Sequence, residues 1–130
     1  MTIDYRDYFK TWKCWMKFEP QVDGINGVYA FRLKEPFGRL QGESNILYIG
    51  KVHQNPETNN RPGIWHRLMN YRQKNGGASE RLKDIEKTFG DKSAIEYAYV
   101  VCTEPREVES ALLASYYALH LEYPPLNRSS

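Results

Sequence analysis

Asn45-Ile46-Leu47-Tyr48-Ile49-Gly50-Lys51 is a short apolar run closed by a glycine and a cation. Its β-branched and aromatic residues, bounded by polar ones, predict a strand that ends at the glycine. Residues 52–62 are polar, with Asn55, Pro56, Asn59 and Asn60, and predict a loop. Pro62 and Gly63 lead into Ile64-Trp65-His66-Arg67-Leu68-Met69-Asn70-Tyr71, where Ile64, Leu68 and Tyr71 fall on one helical face. A tyrosine, a lysine and an arginine thus come from a strand end and a nearby helix. That set suits phosphate chemistry, with arginine as a fork and lysine as a point charge.

Upstream, Gly24 and Gly27 flank a turn, and Val28-Tyr29-Ala30-Phe31-Arg32-Leu33 predicts another strand. Pro36, Gly38 and Gly42 punctuate the connection to Ile46, which carries Lys34 and Arg39 against Glu35 and Glu43. The two runs predict an antiparallel hairpin with a long tip. Tyr5, Tyr8, Phe9 and Trp12 have helical spacing, so residues 1–23 read as an aromatic arm or helix packed on the core, or as an arm that contacts DNA.

Downstream, Gly76-Gly77 ends the first long helix, and Ala78–Phe89 predicts a second. There Leu82, Ile85 and Phe89 point inward, while Arg81, Lys83, Asp84, Glu86 and Lys87 point outward. Ala94–Cys102 predicts a third strand. Thr103 is a candidate cap for a helix from about Pro105 to Leu121, whose few polar positions predict burial on several sides. Pro124-Pro125 stops it, Leu126-Asn127 follows, and Arg128-Ser129-Ser130 is a polar tail. The expected order is β-β-α-α-β-α. It makes a single α+β domain over residues 1–130, with a small three-stranded antiparallel sheet flanked by helices.

A chain of 130 residues can bury a core without staples. Its formal net charge of +2 permits a polyanion partner but is not that of an obligate nucleic-acid binder, so any DNA affinity must come from how charge is arranged. Two distant cysteines, Cys14 and Cys102, argue against a disulfide framework or a zinc site, and Cys102 reads as a buried thiol. No signal peptide or membrane-spanning stretch is evident, so a soluble cytoplasmic protein is the default expectation.

Taken singly, Tyr29 and Tyr48 read as core tyrosines, Lys51 and Arg67 as surface cations, and Asn127 as a turn residue. His53 and His66 read as exposed. Glu109, near the start of an apolar helix, needs a partner: an ion pair with Arg67 or Arg106, or a hard cation such as Mg²⁺.

Their order is more specific. Gly27-Val28-Tyr29, Tyr48-Ile49-Gly50-Lys51, Arg67 with Tyr71 one turn on, Glu109-Ser110-Ala111-Leu112-Leu113 and Pro124-Pro125-Leu126-Asn127 together resemble the GIY-YIG nuclease superfamily across residues 27–127. Lys51 and the Arg67/Tyr71 pair are most similar to the amino-terminal nuclease domain of the bacterial excision-repair incision subunit. The resemblance implies a three-stranded antiparallel sheet flanked by helices and a DNA endonuclease using one divalent cation, Mg²⁺ or Mn²⁺. It makes Glu109 the metal ligand, and Arg67 the group that binds the scissile phosphate and stabilises transition-state charge. Tyr29 or Tyr48, with Lys51, would orient or deprotonate the attacking water. Tyr71, Asn127 and His66 would support the site.

The chain departs from the pattern in having Val28 for isoleucine, a longer hairpin tip, a longer loop before Arg67 and a wider spacing from Glu109 to Asn127. These residues hold no separate DNA-binding domain. Specificity is therefore expected from the loops at 34–45 and 52–62, the amino-terminal arm or a separate partner, and duplex cutting by so small a domain would require a homodimer or two successive nicks. The alternative is a non-catalytic nucleic-acid or protein binding module on the same fold.

Overall fold

The fold is seen in a computed structural model that describes residues 3–18, 26–53, 63–73, 77–89 and 94–127. Its centre is the strand Gly27–Gly38, in which Val28, Tyr29, Ala30 and Phe31 are fully buried. A strand covered on both faces reads as a continuous apolar run, which is why alternation in this segment is only partial. We number the elements in chain order: α1 (Tyr5–Tyr8), β1 (Lys13–Cys14), a 3₁₀ turn (Trp15–Lys17), β2 (Gly27–Gly38), β3 (Glu43–Val52), α2 (Ile64–Gln73), α3 (Gly77–Phe89), β4 (Ile95–Val101) and α4 (Pro105–His120).

The sheet is antiparallel and has four strands, in the order β1-β4-β2-β3. The class is therefore α+β, but the expected count of three strands is wrong. The extra strand comes from the amino-terminal arm, where Lys13 and Cys14 pair with Tyr97 and Glu96 along the outer edge of β4. The helical spacing of Tyr5 to Trp12 is realised only over Tyr5–Tyr8. Beyond it the chain extends to meet that edge, because pairing with β4 satisfies backbone groups that one more turn would not.

The hairpin also differs from expectation. β2 runs on to Gly38, so its tip is the tight segment 39–42, closed by a bond from the Arg39 amide to the Gly42 carbonyl. Residues 33–36, including Pro36, form an irregular stretch inside β2. A second irregularity sits in β3. Phe31 faces Tyr48 while Arg32 faces Ile46, so Leu47 is an extra residue. Such a bulge turns successive side chains toward one face. Leu47 and Tyr48 both join the core on the α2/α3 side, while Ile46 and Ile49 join the core on the other side.

Two cores result. One lies between the sheet and α2, α3 and the 3₁₀ turn, built on Trp15, Tyr29, Phe31, Leu68 and Leu82. The other lies under α4 and α1, built on Val28, Ala30, Ile49, Leu112 and Tyr116. Gly27 lets the strands close together, since a Cβ there would stand 2.2 Å from the Val100 carbonyl oxygen.

The expectations for α2 and α3 hold: Ile64, Leu68, Tyr71 and Leu82 are buried, with Ile85 packed beside them. Two expectations for α4 fail. Its cap residue is Glu104, with no side-chain cap bond, rather than Thr103. It buries only the stripe Pro105, Val108, Leu112, Leu113, Tyr116 and His120. The opposite side, with Ala114, Tyr117, Ala118 and Leu121, is exposed. Small and aromatic residues had lowered the apparent polarity of a face that meets solvent. The thiols of Cys14 and Cys102 are free and half-buried, so Cys102 is not the buried thiol expected. Among the described residues no helix is long and apolar enough to cross a membrane. Most of the 52–62 loop, Gly76, Gly90, the 128–130 tail and the side chains of His66 and Phe89 lie outside the described residues.

Candidate active site at the edge of the sheet

Tyr29 and Gly50 face each other across β2 and β3. A Cβ at position 50 would lie 2.6 Å from the Tyr29 hydroxyl oxygen and 2.8 Å from the Tyr48 ring. The glycine therefore makes room for two phenols at one strand end. The Tyr71 hydroxyl, from the third turn of α2, completes the group at 2.9 Å from that of Tyr29. The ring centroids of Tyr48 stand 6.1 Å from those of both Tyr29 and Tyr71.

Burial separates the three phenols. Tyr29 and Tyr71 are buried, whereas Tyr48 is half-buried. Desolvation pushes the Tyr29 hydroxyl well above the usual phenol range, and nearby Tyr48 adds to this. The hydrogen bond from Tyr71 and the Arg67 cation oppose the rise. Desolvation and the neighbouring phenols of Tyr29 and Tyr48 raise Tyr71 as well. Arg67, one turn before Tyr71, thus sits in the electrostatic field of the cluster.

The next residue of β3 serves the opposite face. Lys51 pairs across the sheet with Val28, and its Nζ donates to Oε1 of Glu109 on α4 at 3.3 Å. The partner of Glu109 is therefore Lys51, not Arg67 or Arg106 as expected. Both side chains of the pair remain partly solvated, Lys51 more than Glu109. The phenol cluster and the Lys51–Glu109 pair occupy opposite faces at consecutive positions of β3, which is an edge strand. At about 3.3 Å of rise per residue, Tyr48, Gly50 and Lys51 lie close together along this outermost strand.

Asn127 holds that edge. Its Oδ1 accepts from the Ile49 amide at 3.0 Å, and its Nδ2 donates to the Ile49 carbonyl at 2.9 Å. The Leu126 amide donates to the Leu47 carbonyl at 2.9 Å. The carboxy-terminal turn is in turn tied to α3, where Arg81 Nη2 donates to the Pro125 carbonyl at 2.6 Å. A side-chain amide takes the place of a missing neighbouring strand and fixes Ile49 between Tyr48 and Gly50. Sequence reasoning did not single out Arg81. Its only signal was an arginine on a helix face otherwise read as solvated.

His53 is exposed, as expected, and the His66 side chain lies outside the described residues. Among the described residues no group of three His, Cys, Asp or Glu side chains gathers at one point. A caged zinc centre therefore finds no donor set there. A single carboxylate such as Glu109 instead suits a hard cation that keeps several of its waters.

Comparison of the chain with family models, curated proteins and solved structures gives no match.

Proposed function

We propose that this protein is a GIY-YIG-like endonuclease that hydrolyses DNA phosphodiester bonds with a divalent metal ion. The observation that carries the reading is Gly50. Its missing side chain brings Tyr29 and Tyr48 together beside Tyr71 and Arg67, while its neighbour Lys51 meets Glu109.

Tyr48 is the phenol that meets the attacking water, because Tyr29 and Tyr71 are buried against each other and held protonated by burial. Those two pack against the Tyr48 ring and hold it at the strand end. Arg67 binds the non-bridging phosphate oxygens as a fork and stabilises the charge that grows on them. Glu109 would hold Mg²⁺ or Mn²⁺, hard cations that prefer oxygen ligands. The bound cation supplies Lewis-acid stabilisation of the leaving oxygen. Lys51 would supply a second positive charge for the phosphate in place of its pair with Glu109. Asn127 acts at one remove, by holding Ile49.

Purified protein incubated with Mg²⁺ should nick supercoiled plasmid or cut branched DNA. Glu109→Ala and Arg67→Ala should each lower the rate by roughly 10²-fold or more while leaving the thermal midpoint near that of the parent. No cleavage by the parent, with DNA binding retained in Glu109→Ala, would establish the non-catalytic binding module instead.

A further inference from the structure

A cleft of about 370 Å³ opens between the 3₁₀ turn, the end of α2 and the middle of α3. Tyr71 forms one wall and so connects the cleft to the phenol cluster. Arg72, Lys83, Glu86 and Lys87 line the remainder, with Trp15 beneath. Three cations against one carboxylate give the cleft a positive balance in a chain whose overall formal charge is only +2.

Arg72 is held in place. Its guanidinium lies 4.7 Å from the Trp15 ring centroid and 5.9 Å from that of Phe18. An arginine on an aromatic ring keeps its charge and its fork of N–H donors, and loses the rotamer freedom that anion binding would otherwise have to remove. Among the described residues neither Arg72 nor Lys87 makes an ion pair. Trp15 is almost fully buried, so the cleft is no platform for stacking bases. What it offers is fixed positive charge at a concave surface.

We infer that this cleft takes the phosphodiester backbone of duplex DNA on one side of the scissile phosphate, with Arg72 and Lys87 as its phosphate contacts. The inference rests on the endonuclease reading for the position of the scissile phosphate at Arg67. Arg67 and Arg72 are about 7.5 Å apart along the helix axis. That is roughly two steps of one DNA strand at 3.4 Å of axial rise each. The two arginines are also about 140° apart around the helix, at roughly 100° per residue, so a strand that binds both crosses α2 toward α3 rather than following one face of it. Glu86 on the same wall opposes it, which gives the surface an internal control of opposite sign.

The test is binding of a fluorescein-labelled 20-base-pair duplex in EDTA, so that no cleavage occurs, from 50 to 200 mM salt. Arg72→Gln/Lys87→Gln should bind roughly ten-fold more weakly at 100 mM salt. Its log–log salt dependence should be shallower by about 1.8, from two phosphates at about 0.9 each. Glu86→Gln removes no contact and should bind about two- to three-fold more tightly. The inference is overturned if the double variant keeps the parent's affinity and salt slope, or if the parent does not bind the duplex. It is overturned too if Glu86→Gln is unchanged, or if poly-glutamate displaces the duplex from the parent and from the double variant equally well. Cleavage in Mg²⁺ is scored separately, so loss of the endonuclease reading leaves this measurement interpretable, and the reverse.

Discussion

The two faces of the sheet use the same residue type in opposite ways. On the α4 face, the Tyr5 hydroxyl donates to Nε2 of His120 at 2.5 Å, and His120 Nδ1 donates to the Gln41 carbonyl at 2.8 Å. A carbonyl can only accept, so the tautomer is fixed and the chain of donors ends on the backbone. Beside it the Tyr116 hydroxyl is buried without a partner among the described residues. On the α2 face, the buried Tyr29–Tyr71 pair borders a third phenol, Tyr48, which is half-buried, and a cation, Arg67. One polar network is closed and ties α1, α4 and the hairpin tip together. The other is open at an edge strand. Buried tyrosines alone do not mark a site; what does is a network that continues to a solvent-reachable member carrying useful charge.

Gly50→Ala gives the largest contrast. Its Cβ would meet the Tyr48 ring and the Tyr29 hydroxyl, and Tyr29 is fully buried in the core and has nowhere to withdraw. Overpacking of this kind costs about 1–3 kcal/mol. The neighbouring Ile49→Val, on the opposite face, costs about 0.5–1.5 kcal/mol without touching a hydroxyl. Urea unfolding should rank the variants in that order, and plasmid cleavage should collapse only for Gly50→Ala. Equal loss of cleavage in both would erase the functional distinction between the faces.

The phenols themselves provide a smaller effect, read against pH. Burial raises Tyr29 on one face and Tyr116 on the other. In the unfolded chain a phenol ionises near pH 10. The stability linked to a raised phenol is therefore complete below pH 10. It is lost as pH climbs above 10, where the unfolded chain releases a proton that the folded chain keeps. Tyr29→Phe should lower stability by about 1 kcal/mol at pH 8, by breaking the bond to Tyr71. Tyr116→Phe should leave it unchanged or raise it, because its hydroxyl has no partner to lose. Both should decline less steeply than the parent between pH 10 and 11 in thermal melts. A loss at pH 8 in Tyr116→Phe that matches Tyr29→Phe would mean that its hydroxyl is bonded after all.

This difference between faces was only partly legible in the sequence. The run Ile46–Ile49 with its closing Gly50 announced a strand end, because an apolar β-branched stretch stopped by glycine has few other readings. The helices α2 and α3 were legible from the spacing of Ile64, Leu68 and Tyr71 and of Leu82 and Ile85. What decides the face of each residue was not. The bulge at Leu47 has no marker of residue type, yet it shifts Ile46 across the sheet. Lys13 and Cys14 form a strand only because the edge of β4 is vacant beside them. The pairing of Lys51 with Glu109 spans 58 positions, and no local spacing encodes it. Asn127 read as a turn residue because its partners are backbone groups of a strand far away in sequence.

The smallest expected effect tests where the faces meet. Lys51 and Glu109 form a half-solvated pair, so Lys51→Met should change stability by no more than about 1 kcal/mol. Its effect on the carboxylate is more specific. An ammonium 3.3 Å from Oε1 occupies the carboxylate and repels any second cation approaching it. Replacing it with an uncharged stem of similar length removes the competitor and keeps the packing. Calorimetric titration with Mn²⁺ in the absence of DNA should therefore show several-fold tighter binding in Lys51→Met and none in Glu109→Ala. On the endonuclease reading, cleavage by Lys51→Met should nevertheless fall, because the phosphate would lose one of its cations. Tighter metal binding together with slower cleavage would separate these two uses of one cation. Weaker Mn²⁺ binding in Lys51→Met would instead place Lys51 in a supporting role, holding Glu109 in its binding rotamer, and confine the edge of β3 to one function on each face.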